Sequence, residues 1–144
     1  MKTLLITTIA AICVFNALSA PAGWLTDYQQ ALARARKEKK ALLVLFTGSD
    51  WCPGCKTLAR EVLDKKEFME FAAKHLVPVY LDSPRGRELT AAERQQLITL
   101  NKQLRPGPYV PTTVIVGSDG KVKARIVGAF QLDNYIKQIS GALK

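Results

Sequence analysis

Residues that bind metal ions are scarce in this sequence of 144 residues, which holds three cysteines and one histidine, His75. Structural zinc sites almost always take four ligands, mostly sulfur or nitrogen atoms. Cys13 lies in an N-terminal segment that we expect to be removed, which leaves Cys52, Cys55 and His75. These are too few for a zinc site, so we expect no bound metal, and we expect no other cofactor.

The sequence also lacks an apolar run long enough to cross a membrane, which takes about 20 residues. Its most apolar region, Leu4 to Leu18, follows the basic Lys2 and is followed by small residues. This combination is typical of a secretory signal peptide. Because 20–22 reads Ala-Pro-Ala and fits the A-x-A cleavage pattern, we predict a signal peptide over 1–22, with an uncleaved anchor as the alternative. The remainder, 23–144, would be one domain in the periplasm or outside the cell.

Acidic residues are few relative to basic ones: 12 against 21, which gives a net charge of +9 at pH 7. The basic residues are scattered, and their densest run, between Arg34 and Lys40, fits the solvated end of a helix. Nucleic-acid binding calls for a basic patch interleaved with exposed aromatic residues, and a secreted location also argues against it. We therefore expect no nucleic-acid partner and a general attraction to acidic partners.

The two remaining cysteines form a C-x-x-C pair, Cys52 and Cys55, directly after an apolar stretch. Ala41–Thr47 is predicted to be a buried strand, 48–50 a turn, and the cysteines the start of a helix. The unpaired N–H groups and the dipole of a helix N-terminus favour a thiolate there. A disulfide that closes so small a loop restricts the unfolded chain little, which favours a redox pair over a structural crosslink.

The rest of the chain predicts an α/β fold in one domain, with the order helix, strand, helix, strand, helix, hairpin and helix. Capping boxes at Thr26 and Thr90 mark the starts of two helices. The helix after Thr90 is expected to turn three residues inward: Leu97, Ile98 and Leu104. An Asp-Gly turn at 119–120 joins the two strands of the hairpin. Parallel strands joined by helices, followed by a hairpin, predict a mixed central sheet flanked by helices.

This order resembles the thioredoxin superfamily, because Trp51-Cys52-Pro53-Gly54-Cys55 follows the first strong strand and Val110-Pro111-Thr112 precedes the hairpin. Residues 46–52 are most similar to the secreted, thioredoxin-related proteins of bacteria. The resemblance implies a single thioredoxin-fold domain and thiol–disulfide exchange, with Cys52 as nucleophile and Cys55 as resolving thiol. It also implies a cis proline at Pro111 and a substrate-binding backbone at Val110. Cys52 is expected to be the more accessible cysteine.

The sequence allows two roles for each of three neighbouring side chains. Trp51 either shields the disulfide and contacts substrate or covers the edge of the core. Asp50 is interpreted as a turn or capping residue, with a catalytic role as the alternative. Tyr109 either packs against the domain or lines a substrate groove.

Two departures from the resemblance leave the direction of electron flow open. Phe46 stands where thioredoxins place a buried acid, and the dipeptide between the cysteines is Pro53-Gly54 instead of Gly-Pro. The histidine of the strongly oxidising periplasmic family is also absent from this dipeptide, which favours a reductase or isomerase over an oxidase.

We expect partners to be protein or peptide thiols and disulfides, together with a membrane-bound electron donor or acceptor, and we expect the protein to be a monomer. The alternative function is a peptide-binding or chaperone-like module without redox turnover.

Overall fold

A mixed four-stranded sheet organises the structure, a computed structural model that describes residues 20–144. In chain order the elements are α1 (Tyr28–Glu38), β1 (Ala41–Thr47), α2 (Pro53–Leu58), a π-helical turn (Ala59–Leu63), α3 (Lys66–His75), β2 (Leu76–Asp82), α4 (Ala91–Leu104), β3 (Thr112–Val116), β4 (Val122–Val127) and α5 (Leu132–Leu143). The predicted order of elements and the predicted hairpin are confirmed.

The strands lie in the order β2-β1-β3-β4, so β1 is a central strand. It pairs in parallel with β2 and antiparallel with β3, while β3 and β4 form the antiparallel hairpin. A parallel neighbour on one side and an antiparallel neighbour on the other make the sheet mixed, as the sequence predicts.

Both faces of β1 are buried, which explains why its apolar residues are consecutive instead of alternating. Leu42, Val44 and Phe46 join the core that α1 and α4 cover. Leu43 and Leu45 join the core formed with α2, α3 and α5. Because β1 is fixed on both faces and both edges, the turn at its carboxyl end starts from a rigid position.

The start of α1 differs from the prediction by one residue. Asp27, and not Thr26, caps the helix, and its Oδ1 accepts the N–H of Gln30 at 2.7 Å. The Thr26 carbonyl accepts a hydrogen bond from the side chain of Gln96 at 2.9 Å, and the same side chain accepts the N–H of Tyr28. Residues at the start of α1 are therefore bound by Gln96 of α4, and α1 begins one residue later than predicted. The predicted capping box at Thr90 is confirmed, since its hydroxyl and the Glu93 carboxylate make the reciprocal bonds.

The inward face of α4 is partly different from the prediction. Leu104 and Leu100 are buried and Leu97 packs against the same core, whereas Ile98 is 45% exposed. Positions 97, 100 and 104 follow the spacing of one helix face, and position 98 is rotated about 100° away from 97. The prediction for Ile98 is wrong for this reason.

The predicted signal peptide, 1–22, lies outside the described residues except for 20–22. Across residues 20–144, none of the helices combines the length and apolarity that crossing a bilayer would require.

Candidate active site

The C-x-x-C pair lies where β1 turns into α2. Cys52 caps the helix in an extended conformation, and Pro53 takes the first helical position, where its missing N–H costs nothing. The carbonyl of Gly48 accepts the Cys52 N–H at 2.9 Å and closes the turn. The sequence therefore places a cysteine sulfur at the N-terminus of a helix, as predicted.

Cys52 and Cys55 form a disulfide, with their Cα atoms 5.2 Å apart. Each sulfur is approached by a backbone donor: the Cys55 N–H lies 3.1 Å from Sγ of Cys52, and the Gly48 N–H lies 3.4 Å from Sγ of Cys55. Donors of this kind also stabilise negative charge on a sulfur after reduction.

The two cysteines are equally buried at 4% exposure, so the prediction that Cys52 is the more accessible one is wrong for this disulfide form. Sγ of Cys52 lies 3.6 Å from the carbonyl oxygen of Val110. The ring of Pro111 lies 3.4 Å from the position that a Cβ on Gly54 would take. The loop before β3 thus covers a helix start that the sequence pattern alone would leave open.

The peptide bond between Val110 and Pro111 is cis, as the resemblance implies. Two hydrogen bonds fix the backbone around it. The Pro111 carbonyl accepts the N–H of Gly128 at 2.8 Å, and the Tyr109 carbonyl accepts the Thr112 hydroxyl at 2.7 Å. The Val110 backbone is consequently held beside Cys52 by the same hairpin that completes the sheet.

Trp51 is partly exposed and is fixed by three neighbours. Its Nε1 donates to the carbonyl of Ser83 at 2.8 Å, and the guanidinium carbon of Arg85 lies 4.1 Å from the ring centroid. Gly48 lies so close to the indole that an added Cβ would be 2.4 Å from Cε2. The absence of a side chain at Gly48 therefore allows Trp51 to lie against the turn that carries the cysteines.

Asp50 binds the loop after β2 through its carboxylate. Its carboxylate accepts the backbone N–H groups of Arg85, at 3.0 Å, and of Gly86, at 2.5 Å. These bonds lower the pKa of Asp50 below its ordinary value. The interpretation of Asp50 as a turn residue is confirmed, although what it holds is a distant loop and not the helix.

A second carboxylate joins the same two segments. Asp82, the last residue of β2, accepts the backbone N–H of Ser49 at 2.9 Å and also its hydroxyl. Together the Asp50 and Asp82 bonds tie the active-site turn, 48–51, to the loop 82–86. We call this pair of segments the Trp51 clamp.

Phe46 occupies the position of the buried acid and is itself buried, 5% exposed, in the core that Val110 packs against. Its surroundings are apolar, so no carboxylate replaces the missing acid at this position.

Tyr109 is 69% exposed, which excludes the interpretation that it packs into the domain. It borders a cavity of about 250 Å³ next to Val110, between α4 and the proline-rich loop 106–110. The cavity opens beside the loop that covers the disulfide.

Comparison with known proteins agrees with this geometry. The family model described as Thioredoxin-like matches residues 23–118. The chain belongs to this family. It is 31% identical over 121 residues to the disulfide bond reductase DsbH of Chlamydia pneumoniae, a match that covers 82% of this chain and 71% of that protein.

Two further relatives support the assignment of this thioredoxin-like chain. A solved structure described as DsbH oxidoreductase superposes with a TM-score of 0.77 at 26% identity, covering 99% of this chain and 94% of that one. The thioredoxin-related protein DsbJ of Chlamydia pneumoniae is 33% identical over 82 residues, which are 57% of this chain and 24% of that protein.

The thioredoxin-like chain is a protein thiol–disulfide oxidoreductase with a single thioredoxin-fold domain, and its partners are protein thiols and disulfides. Its fold superposes on that of the DsbH oxidoreductase structure, and its own Cys52–Cys55 disulfide is the group that can carry out such exchange.

The sequence reasoning missed the loop 83–86. Nothing in the sequence of Ser83, Arg85 and Gly86 indicates contact with Trp51. The one available signal was Asp50 itself, an acidic residue in the turn directly before the cysteines.

Proposed function

We propose that this protein reduces disulfides in secreted or periplasmic proteins, with Cys52 as the attacking thiolate and Cys55 as the resolving thiol. The observation that carries the proposal is the Cys52–Cys55 disulfide at a helix start, beside the Val110 carbonyl and the ring of Pro111. The 31% identical relative that is described as a disulfide bond reductase supports the direction.

The proposed reaction begins from the dithiol form. The Cys52 thiolate attacks one sulfur of a substrate disulfide, a mixed disulfide forms, and the other substrate sulfur leaves as a thiolate that takes up a proton. The Cys55 thiolate then attacks Sγ of Cys52. This breaks the mixed disulfide, releases the second substrate thiol, and leaves the Cys52–Cys55 disulfide seen here.

Cys52 is assigned as the attacking residue because of where its sulfur lies in the helix and which backbone N–H group lies beside it. Sγ of Cys52 lies at the N-terminus of α2, 3.6 Å from the Val110 carbonyl, where we expect the substrate sulfur to approach. Sγ of Cys55 lies one helical turn in, beside the N–H of Gly48. The Cys55 N–H that approaches Cys52 would stabilise its thiolate.

Substrate binding is assigned to Trp51, Val110 and Pro111. The Val110 backbone lies next to the reacting sulfur, so an extended substrate segment can hydrogen-bond to it there. Tyr109 and the neighbouring cavity extend this surface away from the disulfide.

The protein must regain two electrons after each turnover. We propose that these come from a dithiol of a membrane-bound donor, because the predicted signal peptide directs the chain to an oxidising compartment. We also propose that the domain acts as a monomer, which sedimentation of the mature chain would test.

The decisive experiment is to titrate the Cys52–Cys55 pair against a glutathione or dithiothreitol buffer and to assay insulin reduction. We expect a potential closer to that of thioredoxin, about −270 mV, than to that of the oxidase DsbA, about −120 mV. We also expect turnover that Cys52→Ser abolishes. A potential near the oxidase value would contradict the reductase direction. A pair that does not exchange with any thiol would instead support the binding-module alternative.

A further inference from the structure

The Arg85 side chain occupies an unusual position for a loop residue, since it lies over the ring of Trp51, the residue next to Cys52. The distance from its guanidinium carbon to the ring centroid is 4.1 Å, within the range of a cation–π contact. A guanidinium stacked on a ring keeps N–H donors in its own plane, free for a further partner.

The backbone beneath this side chain is fixed by the Trp51 clamp. The N–H of Arg85 is bound by Asp50 through both carboxylate oxygens, and the neighbouring Gly86 N–H is bound by one of them. A Cβ on Gly86 would lie 2.9 Å from the Asp50 carboxylate, so this close approach favours glycine. Arg85 is therefore presented to solvent from a constrained loop next to the active site.

Three carboxylates of this region, those of Asp50, Asp82 and Glu93, are bound to other groups. Asp50 binds backbone N–H groups and Asp82 binds Ser49. Glu93 forms its ion pair with Arg87 at 2.8 Å. Within residues 20–144 the Arg85 guanidinium has neither an ion pair nor a side-chain hydrogen bond, and the residue is exposed. Its positive charge therefore has no carboxylate partner within the described part of the chain.

We propose that Arg85 determines specificity by binding an aspartate or glutamate close to the reacting cysteine of the protein substrate. A guanidinium pairs with a carboxylate through two parallel hydrogen bonds, and attraction between opposite charges also speeds the encounter. The proposal rests on the proposed function in that it assumes exchange between Cys52 and a substrate disulfide, but it applies to either direction of electron flow.

The experiment uses the mature chain with Cys55→Ser, which stops the reaction at the mixed disulfide. Three peptides carry one cysteine as a 2-pyridyl disulfide and differ only in the neighbouring residue, which is Glu, Gln or Lys. The Cys52 thiolate attacks the peptide sulfur, and a new S–S bond forms as the bond to the pyridyl sulfur breaks. Pyridine-2-thiolate leaves with the electron pair and takes up a proton to give pyridine-2-thione, which is measured by absorbance. Second-order rates are compared at low and high salt.

We expect rates in the order Glu, Gln, Lys, with about five-fold between the first and the last, the upper range for one solvent-exposed ion pair. High salt should reduce the difference because it screens exposed charges. Arg85→Gln should bring the three rates together, and Arg85→Glu should reverse their order. Arg94→Gln, which removes the same charge from an exposed position on α4, should leave the order unchanged.

Persistence of the wild-type order in Arg85→Gln would overturn the proposal. So would an equal loss of all three rates accompanied by a changed redox potential of the intact Cys52–Cys55 pair, because Arg85 would then act on the cysteines and not on the substrate. Near-UV circular dichroism of each variant checks that Trp51 remains packed. If wild-type protein fails to reduce insulin but still discriminates among the peptides, the reductase direction fails and the role of Arg85 stands.

Discussion

Asp50, in the turn before the cysteines, holds the backbone N–H of Arg85 at 3.0 Å from each of its carboxylate oxygens. The two residues are 35 positions apart in the sequence, so this contact joins the active-site turn to the loop that follows β2. Through Arg85 and Ser83 the same loop contacts Trp51. The Asp50 carboxylate is therefore connected to the surroundings of Trp51 through the backbone of this loop.

The first prediction concerns Asp50→Ala. Without the carboxylate the N–H groups of Arg85 and Gly86 lose their acceptor, so the loop and the indole should become more mobile. In a Trp24→Phe background, which leaves Trp51 as the one tryptophan, we expect a weaker near-UV circular dichroism signal and more efficient fluorescence quenching by acrylamide, with the far-UV signal unchanged. Asp133→Ala, an exposed acid in the first turn of α5, is the control for charge. Unchanged quenching in Asp50→Ala would show that the clamp does not hold Trp51.

The second prediction compares two glycine substitutions. In Gly48→Ala the new Cβ would lie 2.4 Å from Trp51, so either the ring or the turn must move. We expect a lower resistance to urea, a changed near-UV circular dichroism signal because Trp51 moves, and slower insulin reduction. Gly141→Ala, in the open last part of α5, meets nothing within 4 Å. It should raise stability by about 0.5–1 kcal/mol, the helix preference of alanine over glycine. If Gly48→Ala and Gly141→Ala changed stability equally, the close contact between Gly48 and Trp51 would not explain the need for glycine at position 48.

The third prediction is that Gly54→His makes the protein more oxidising. A Cβ at this position would make an ordinary contact of 3.4 Å with Pro111, so a side chain can be accommodated. A histidine cation next to Cys52 stabilises the thiolate and hence the reduced form, which raises the potential. We expect about 30 mV or more, the equivalent of a tenfold change in the equilibrium with a two-electron buffer. Gly54→Ala controls for the loss of glycine and should stay close to the wild-type potential.

The fourth prediction is a dependence of stability on acid pH that involves Glu93. Its hydrogen bond to Arg87, followed by bonds from Thr90, lowers its pKa from 4.5 to about 2. A lowered pKa in the folded state means that the stabilisation is present above pH 4.5 and is lost as the pH falls toward 2. Glu93→Gln should therefore make the loss of urea stability over this range less steep. Because the pair is largely exposed, the effect should also shrink in high salt. If urea stability fell equally steeply with pH in wild type and in Glu93→Gln, the role given to Glu93 would be contradicted.

The sequence was sufficient for the parts of the fold that local pattern controls. The bounds of β1 were predicted as Ala41–Thr47 because its apolar residues are consecutive and a Gly-Ser-Asp turn follows. The capping box at Thr90 was confirmed for a similar reason, since both of its bonds lie within the first turn of one helix. The predicted start of α1 was wrong by one residue, at a place where a distant part of the chain makes contact. Gln96 of α4 binds the Thr26 carbonyl there, and Asp27 caps the helix.

The candidate site divides in the same way. The sequence by itself determined the reacting pair, because a C-x-x-C at the start of a helix after a buried strand is a local arrangement of neighbouring residues. The resemblance added Val110 and Pro111, and only the tertiary structure showed which contacts hold the surroundings of the pair in place. Val110 reaches Cys52 across 58 positions of sequence, and Asp50 reaches Arg85 across 35. Such contacts depend on how the sheet brings separate loops to one end, and no spacing within either segment encodes that meeting.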